Sequence, residues 1–281
     1  MYFGAHVSIA GGIVNAPLNA NLIGCEVFQF FTRSPQGGYV APLNKKIAAE
    51  FKANCKKTKQ REWYIHAPYF INFASANPRI KHTSIHVVRE ELERASLLGA
   101  KYLMTHIGSF KDLGETKGMT QTIAALNETL KNYKGKTQFL IEISAGSGKI
   151  IGDTFEEIAK IIHHPKLKKY KIGVCYDTQH GFASGYDIRD PKAVKNTLDK
   201  FNKIVGLKNL KMSHCNDSKT EFNSHHDRHA HIGEGMIGTN GFQSLLSDHR
   251  LKNTNFILET EPDQVTDDLK ILKNIRKKYV T

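Results

Sequence analysis

Eight short apolar runs recur along the chain, each trailed by a segment whose polar and charged residues return at helical spacing, and few architectures accommodate that alternation. The runs are Tyr2–Val7, Glu26–Phe31, Trp63–His66, Tyr102–His106, Gln138–Ile143, Lys171–Asp177, Leu210–His214 and Asn255–Glu259. Helical patterning predicts helices at Asn44–Lys59, Pro78–Leu98, Met119–Tyr133, Thr154–His163, Asp190–Val205 and Gly241–Asp248, with a last one near Thr266–Tyr279. Strand and helix in alternation build a parallel sheet, because a strand can run beside its predecessor in the same direction only after a crossover. Eight such units in 281 residues fit a closed (β/α)8 TIM barrel, an architecture of about 250 residues, better than an open doubly wound sheet. No Pro/Gly/Ser-rich linker divides the chain, so residues 1–281 read as a single domain.

Most of the expected strands finish in a metal-capable or titratable side chain: His6, His66, His106, Glu142, Asp177, His214 and Glu259. In a barrel these positions converge on the C-terminal rim, where active sites of this architecture sit. From His66 to His214 they recur 35–40 residues apart, one per β/α unit. A lone histidine at a strand end is usually structural, but several in phase imply shared ions. Imidazole mixed with carboxylate suits zinc, iron or manganese, whereas calcium and magnesium sites are built from oxygen. His180 stands three residues beyond Asp177, and Asp227-Arg228-His229 offers a carboxylate and an imidazole one residue apart, a spacing that points both the same way in extended chain. His225, His226 and His231 crowd the same polar insertion and are not read as ligands.

Gly233-Glu234-Gly235-Met236-Ile237-Gly238 satisfies a dinucleotide-binding pattern, with Glu259 at about the distance of a ribose-binding acid. The context fails, because Asp227–His231 before it is polar and His-rich rather than a buried strand. The glycines are instead expected to let the loop pack over Asp227 and His229. The four cysteines are scattered, without a Cys-x-x-Cys pair, and read as reduced, buried thiols. With no signal-peptide pattern at Met1–His6, this favours a cytoplasmic or other reducing intracellular location. Forty Lys+Arg against 27 Asp+Glu leave +13, an excess that favours a polyanionic partner.

Four passages together resemble the endonuclease IV family of apurinic/apyrimidinic endonucleases: Gly173–His180, His214–Lys219, Asp227–His229 with Gly233-Glu234-Gly235, and Ile257–Thr260. The resemblance implies a xylose-isomerase-like TIM barrel that binds three Zn2+ ions and cuts double-stranded DNA on the 5′ side of abasic sites, as a monomer. It implies that His66 and His106 hold one ion, which Glu142 bridges to a second held by Asp177, His214 and Glu259. His180, Asp227 and His229 would hold the third. Catalysis would then centre on Glu142, Glu259 and Asp177, and Tyr69 matches a position whose side chain enters the DNA stack. In the second loop, Phe31–Tyr39, this chain departs from its relatives, with Gln36 where arginine is frequent and Gly38 where tryptophan is. Arg33 or Tyr39 is expected to compensate, and Arg228 to contact DNA. A metal-dependent sugar isomerase or epimerase on the same barrel is the alternative, since fold alone does not fix chemistry.

Overall fold

In the structure, a computed structural model that describes residues 1–279, the elements follow one another as β1 (Phe3–His6), α1 (Ala16–Leu22), β2 (Val27–Phe30), α2 (Lys45–Lys57), β3 (Trp63–His66) and α3 (Pro78–Leu98). The chain continues through β4 (Tyr102–Thr105), α4 (Glu115–Leu130), β5 (Gln138–Glu142), α5 (Phe155–Ile162), β6 (Gly173–Asp177), α6 (Thr178–Ala183), α7 (Pro191–Ile204) and β7 (Leu210–His214). A two-stranded ribbon, β8 (Asp217–Ser218) with β9 (His229–Ala230), precedes α8 (Gly238–Ser247), β10 (Phe256–Leu258) and α9 (Val265–Tyr279). Eight of the strands close into a parallel barrel in the order β1-β10-β7-β6-β5-β4-β3-β2, so the open-sheet alternative is excluded. The ring shuts where Phe3 pairs with Phe256 on one side and Gly4 with Val27 on the other.

Helices begin where the sequence supplies an acceptor for the free N–H groups of the first turn. The side chains of Asn44, Asn77, Thr154 and Asp190 each accept from a backbone N–H two or three residues on, and Pro78 and Pro191 sit just inside their helices. The apolar stripes of these helices cover the outside of the sheet. Inside it, Val27, Tyr64, Tyr102, Met104, Leu140, Cys175, Met212 and Ile257 form a separate packed plug. Gly4 has no room for more than a hydrogen: a Cβ there would fall 1.6 Å from the Val27 carbonyl oxygen. All four cysteines are buried and free, as expected. Among the described residues no helix is long and apolar enough to cross a membrane.

Boundaries differ from expectation at several points. The strand expected at Lys171–Asp177 starts at Gly173, because Lys171 adopts the left-handed region at φ 52°. The helix expected at Gly241–Asp248 begins earlier, at Gly238, and α4 runs Glu115–Leu130 rather than Met119–Tyr133. Helices α1 and α6, seven and six residues long, have no counterpart in the sequence pattern, since so short a segment barely completes two turns.

Candidate metal centre

The barrel brings the expected rim residues together. His66, Glu142, Asp177 and His214 are the last residues of β3, β5, β6 and β7, while His106 and Glu259 stand one position beyond β4 and β10. Three groups of donor atoms are each close enough to share an ion: His66, His106 and Glu142; Glu142, Asp177, His214 and Glu259; and Asp177, His180 and His229. Glu142 belongs to two of them and is fully buried. One carboxylate oxygen lies 3.0 Å from His66 Nε2 and 3.5 Å from His106 Nε2. The other lies 2.6 Å from His214 Nδ1.

The orientation of the imidazoles decides what the cluster wants. His66 Nδ1 donates to the Ala67 carbonyl (2.6 Å), His180 Nδ1 to the Ile143 carbonyl (3.0 Å) and His229 Nδ1 to the Glu259 carbonyl (3.2 Å). His214 Nε2 donates to the Gln29 amide oxygen (2.8 Å). A carbonyl has no hydrogen to give, so in each ring that nitrogen carries the proton and a neutral ring turns a bare lone pair toward the cluster. His180 Nε2 and His229 Nε2 face each other at 3.4 Å, and Asp227 Oδ1 lies 3.3 and 3.4 Å from them. Three donors spaced like this match the edges, roughly 3.3 Å long, of a tetrahedron with bonds of about 2 Å, as around zinc. Asp177 is farther from these two rings, at 3.9 Å in each case, so Asp227 fits the third group better.

The carboxylates attract positive charge, whether it comes as protons or as metal cations. Burial opposes protonation of His180, but Asp177, Asp227 and Glu142 outweigh it and hold this imidazole well above its usual range. For His214 the same opposition is overcome by Cys175, Glu259 and Glu142. Burial would raise the Asp227 carboxyl, yet His180 and its neighbours lower it to about 2. Four carboxylates and five imidazoles gathered at one rim form a region of negative potential that divalent cations would neutralise. The donor set therefore fits transition-metal ions of the zinc type.

Two polar residues that sequence reasoning passed over position this cluster. Gln29, buried in β2 and paired in register with His6, donates to Glu259 (2.7 Å) and toward His6 Nδ1 (3.0 Å) while its oxygen holds His214. Asn216 donates to Asp177 (2.6 Å) and accepts from the Glu259 backbone N–H (2.7 Å). The available signal was phase: Gln29 sits one strand over from His6, at the same level of the barrel.

The rim loops behave differently from one another. Tyr69 is 67% exposed, packs edge-on against Phe31 with ring centroids 5.2 Å apart, and its N–H donates to the Pro35 carbonyl, tying the loop after β3 to that after β2. Gln36 and Tyr39 are exposed on the latter loop. Arg33 is not: it is buried, with its guanidinium 2.6 Å from Glu91 and 2.8 Å from Glu90 on α3. Its expected outward role gives way to anchoring the loop, because its charge is already matched. Arg228 is exposed and donates to the carbonyl of Asp227. Between the two loops, a cavity of about 450 Å³ lined by His6, Phe31, Pro35, Tyr69 and Glu259 opens beside the cluster.

The glycine loop has a different partner from the one expected. Its backbone N–H groups at Gly233, Gly235, Ile237 and Gly238 converge at 2.9–3.1 Å on the carboxylate of Asp217, which is fully buried and also accepts from Ser218. A Cβ at Gly235 would fall 2.4 Å from the Ser218 carbonyl oxygen, so the loop can wrap this closely only with glycine there. The anion that the pattern cradles is thus part of the protein. Since Ser218 pairs with His229 in the ribbon, the same nest fixes the strand that carries His229.

Comparison with known proteins places this geometry in context. The family described as xylose isomerase-like TIM barrel matches residues 18–275. The chain is 36% identical over 280 residues to a probable endonuclease 4 of Campylobacter curvus, covering 98% of each. It superposes on the crystal structure of endonuclease IV from Thermus thermophilus with a TM-score of 0.87 and 30% identity, covering 99% of this chain and all of the other. A D-tagatose 3-epimerase-like protein shares the fold, with a TM-score of 0.75 at 18% identity over 99% of this chain and 98% of its own.

Proposed function

This chain belongs to the endonuclease IV family and is a hydrolase of the deoxyribonuclease IV type, and from that premise we propose that it is a zinc-dependent apurinic/apyrimidinic endonuclease of DNA base excision repair. It hydrolyses the phosphodiester 5′ to an abasic site in duplex DNA, leaves a 3′-OH, and acts as a monomer. The observation that carries the reading is the set of imidazoles that each spend one N–H on a fixed acceptor and turn the other nitrogen toward the carboxylates of the cluster. His66, His106 and Glu142 would hold one zinc ion, Glu142, Asp177, His214 and Glu259 a second, and His180, Asp227 and His229 a third. Zinc bound there supplies Lewis acidity toward a phosphodiester and hydroxide at neutral pH.

The chain's own residues do the rest. Glu142 keeps its negative charge between two ion sites, Gln29 and Asn216 hold His214, Asp177 and Glu259 in place, and the cavity beside Glu259 receives the damaged nucleotide. Purified protein is expected to contain about three zinc ions per chain by elemental analysis, and a strong chelator to abolish cleavage. One ion or fewer in fully active protein sinks the three-ion assignment. Incubation with a duplex containing one abasic site, and separately with ketohexoses, tests the reaction class. Nicking 5′ to the site without sugar turnover supports the endonuclease; epimerisation alone overturns it.

Tyr69 and Gln36 provide a finer test of where DNA lies. Tyr69 presents an exposed ring next to the cavity, whereas the side chain of Gln36 is exposed and makes no hydrogen bond among the described residues. Tyr69→Ala is expected to weaken lesion-specific binding by about 1–3 kcal/mol, the range for losing an aromatic platform, and Gln36→Ala to change it little. Equal, negligible effects in a fluorescence-anisotropy titration would place the inserting side chains elsewhere.

A further inference from the structure

The positive charge is unevenly spread. Three loops at the N-terminal ends of β5, β6 and β7 carry Lys131, Lys134 and Lys136; Lys166, Lys168, Lys169 and Lys171; and Lys208 and Lys211. Nine of the sixteen residues in segments 131–136, 166–171 and 208–211 are lysine and none is acidic. Because β5, β6 and β7 are neighbours in the barrel, the three loops form one continuous face. Eight of these lysines are exposed, and Lys211 is half-buried with its ammonium on the Lys208 carbonyl. Among the described residues none of the nine pairs with a carboxylate. Glu62 and Glu26, at the same end of the barrel, are already matched to Lys101 and Arg276. Five of the lysines line a groove of about 850 Å³ together with Tyr133 and Tyr170.

We propose that this face is a second binding surface for duplex DNA, which grips the phosphate backbone without reading sequence. Unpaired lysines in such density repel one another, and a polyanion relieves the repulsion while releasing its own counterions. Lysine supplies point charges suited to phosphate, not the planar fork that reads base edges. The two tyrosines disfavour a single strand as the occupant: each hydroxyl donates within the protein, to Leu92 and to Asn127, the Lys169 ammonium lies 4.9 Å over the Tyr170 ring and the Arg89 guanidinium 5.5 Å over the Tyr133 ring. One face of each ring already carries a cation, which leaves poor platforms for unpaired bases. No exposed large apolar side chain falls in the three segments, so a hydrophobic protein partner has nothing to grip.

The surface is separate from the metal centre. Strands β5, β6 and β7 run from these loops to Glu142, Asp177 and His214, a span of about 15 Å at roughly 3.3 Å per residue. A duplex on the metal rim therefore leaves the lysine face open, and one molecule can hold two DNA segments at once. That arrangement lets the protein keep contact with one segment while sampling another.

The test uses the metal-loaded full chain saturated with a short, uncleavable abasic duplex, to which a labelled undamaged duplex is added at about 50 mM salt. The wild type is expected to bind the second duplex, and the Lys134→Glu, Lys169→Glu, Lys208→Glu triple variant to bind it at least tenfold more weakly. The variant's salt slope should fall by roughly one for each engaged lysine removed. Its circular dichroism and its cleavage of a short abasic duplex should remain within twofold of wild type, which separates this surface from the catalytic reading. Failure of the saturated wild type to bind a second duplex overturns the proposal. So does unchanged binding by the triple variant, or polyglutamate displacing the undamaged duplex as well as competitor DNA does, which would assign the face to an acidic polypeptide.

Discussion

Glu142→Gln is expected to lower single-turnover cleavage of an abasic duplex by at least a factor on the order of 10²–10³, comparable to removing one strong electrostatic stabiliser of the transition state. The substitution keeps the shape of a fully buried side chain and deletes its charge. In the native protein both carboxylate oxygens face imidazole nitrogens, His66 and His106 on one side and His214 on the other. An amide would put a donor where an acceptor stood, satisfy a histidine lone pair directly, and leave two neighbouring dications without the anion between them. Metal content should drop by at least one ion. The barrel should survive, since the change falls on the rim rather than in the plug, and affinity for undamaged DNA should persist. Near-normal cleavage with all ions retained would refute the bridging role, and metal analysis on the same preparation makes that outcome visible.

Asp217→Ala is expected to cost about 3 kcal/mol or more of stability, since a buried donor left without its acceptor costs about 1–3 kcal/mol and several share this carboxylate. Four loop N–H groups and that of Ser218 lose their common acceptor, and each buried donor left unpaired carries its own desolvation penalty. Asp217→Asn retains one oxygen but turns an NH2 group into a ring of donors, so it should recover only part of the loss. The urea midpoint at constant m value gives the measurement. A shift equivalent to under about 1 kcal/mol would mean that water replaces the carboxylate at little cost. Because the nest holds the ribbon, the alanine variant should also release the ion of the His180 group before the others.

The barrel and its rim were legible because both rest on local patterns repeated many times. An apolar run, a helical segment and a ligand-capable terminus recurred at nearly constant intervals, so an error at one unit did not disturb the rest. What escaped were interactions whose two halves lie far apart. Arg33 showed as a cation in a rim loop, while its acceptors stand 57 and 58 residues on, inside α3. The glycine pattern announced converging N–H groups but not that Asp217, some 16 to 21 residues earlier, supplies the anion. Gln29 carries no charge and no metal-ligand chemistry, so only its phase with His6 on the next strand marked it, while its contacts to Glu259 and His214 cross most of the chain.

The seam between β1 and β10 sets an order of events during synthesis. Phe3 pairs with Phe256, so the first strand to leave the ribosome waits for the last before the ring can shut. Until then the nascent sheet has two raw edges, β1 and β7, each offering unpaired backbone groups to any extended chain nearby. Glu259 lies one residue past that final strand, so the metal-binding set is incomplete for just as long. Translation pausing or truncation just upstream of Phe256 would therefore yield an aggregation-prone, unclosed barrel with a defective metal centre, and full metal loading should follow closure of the seam.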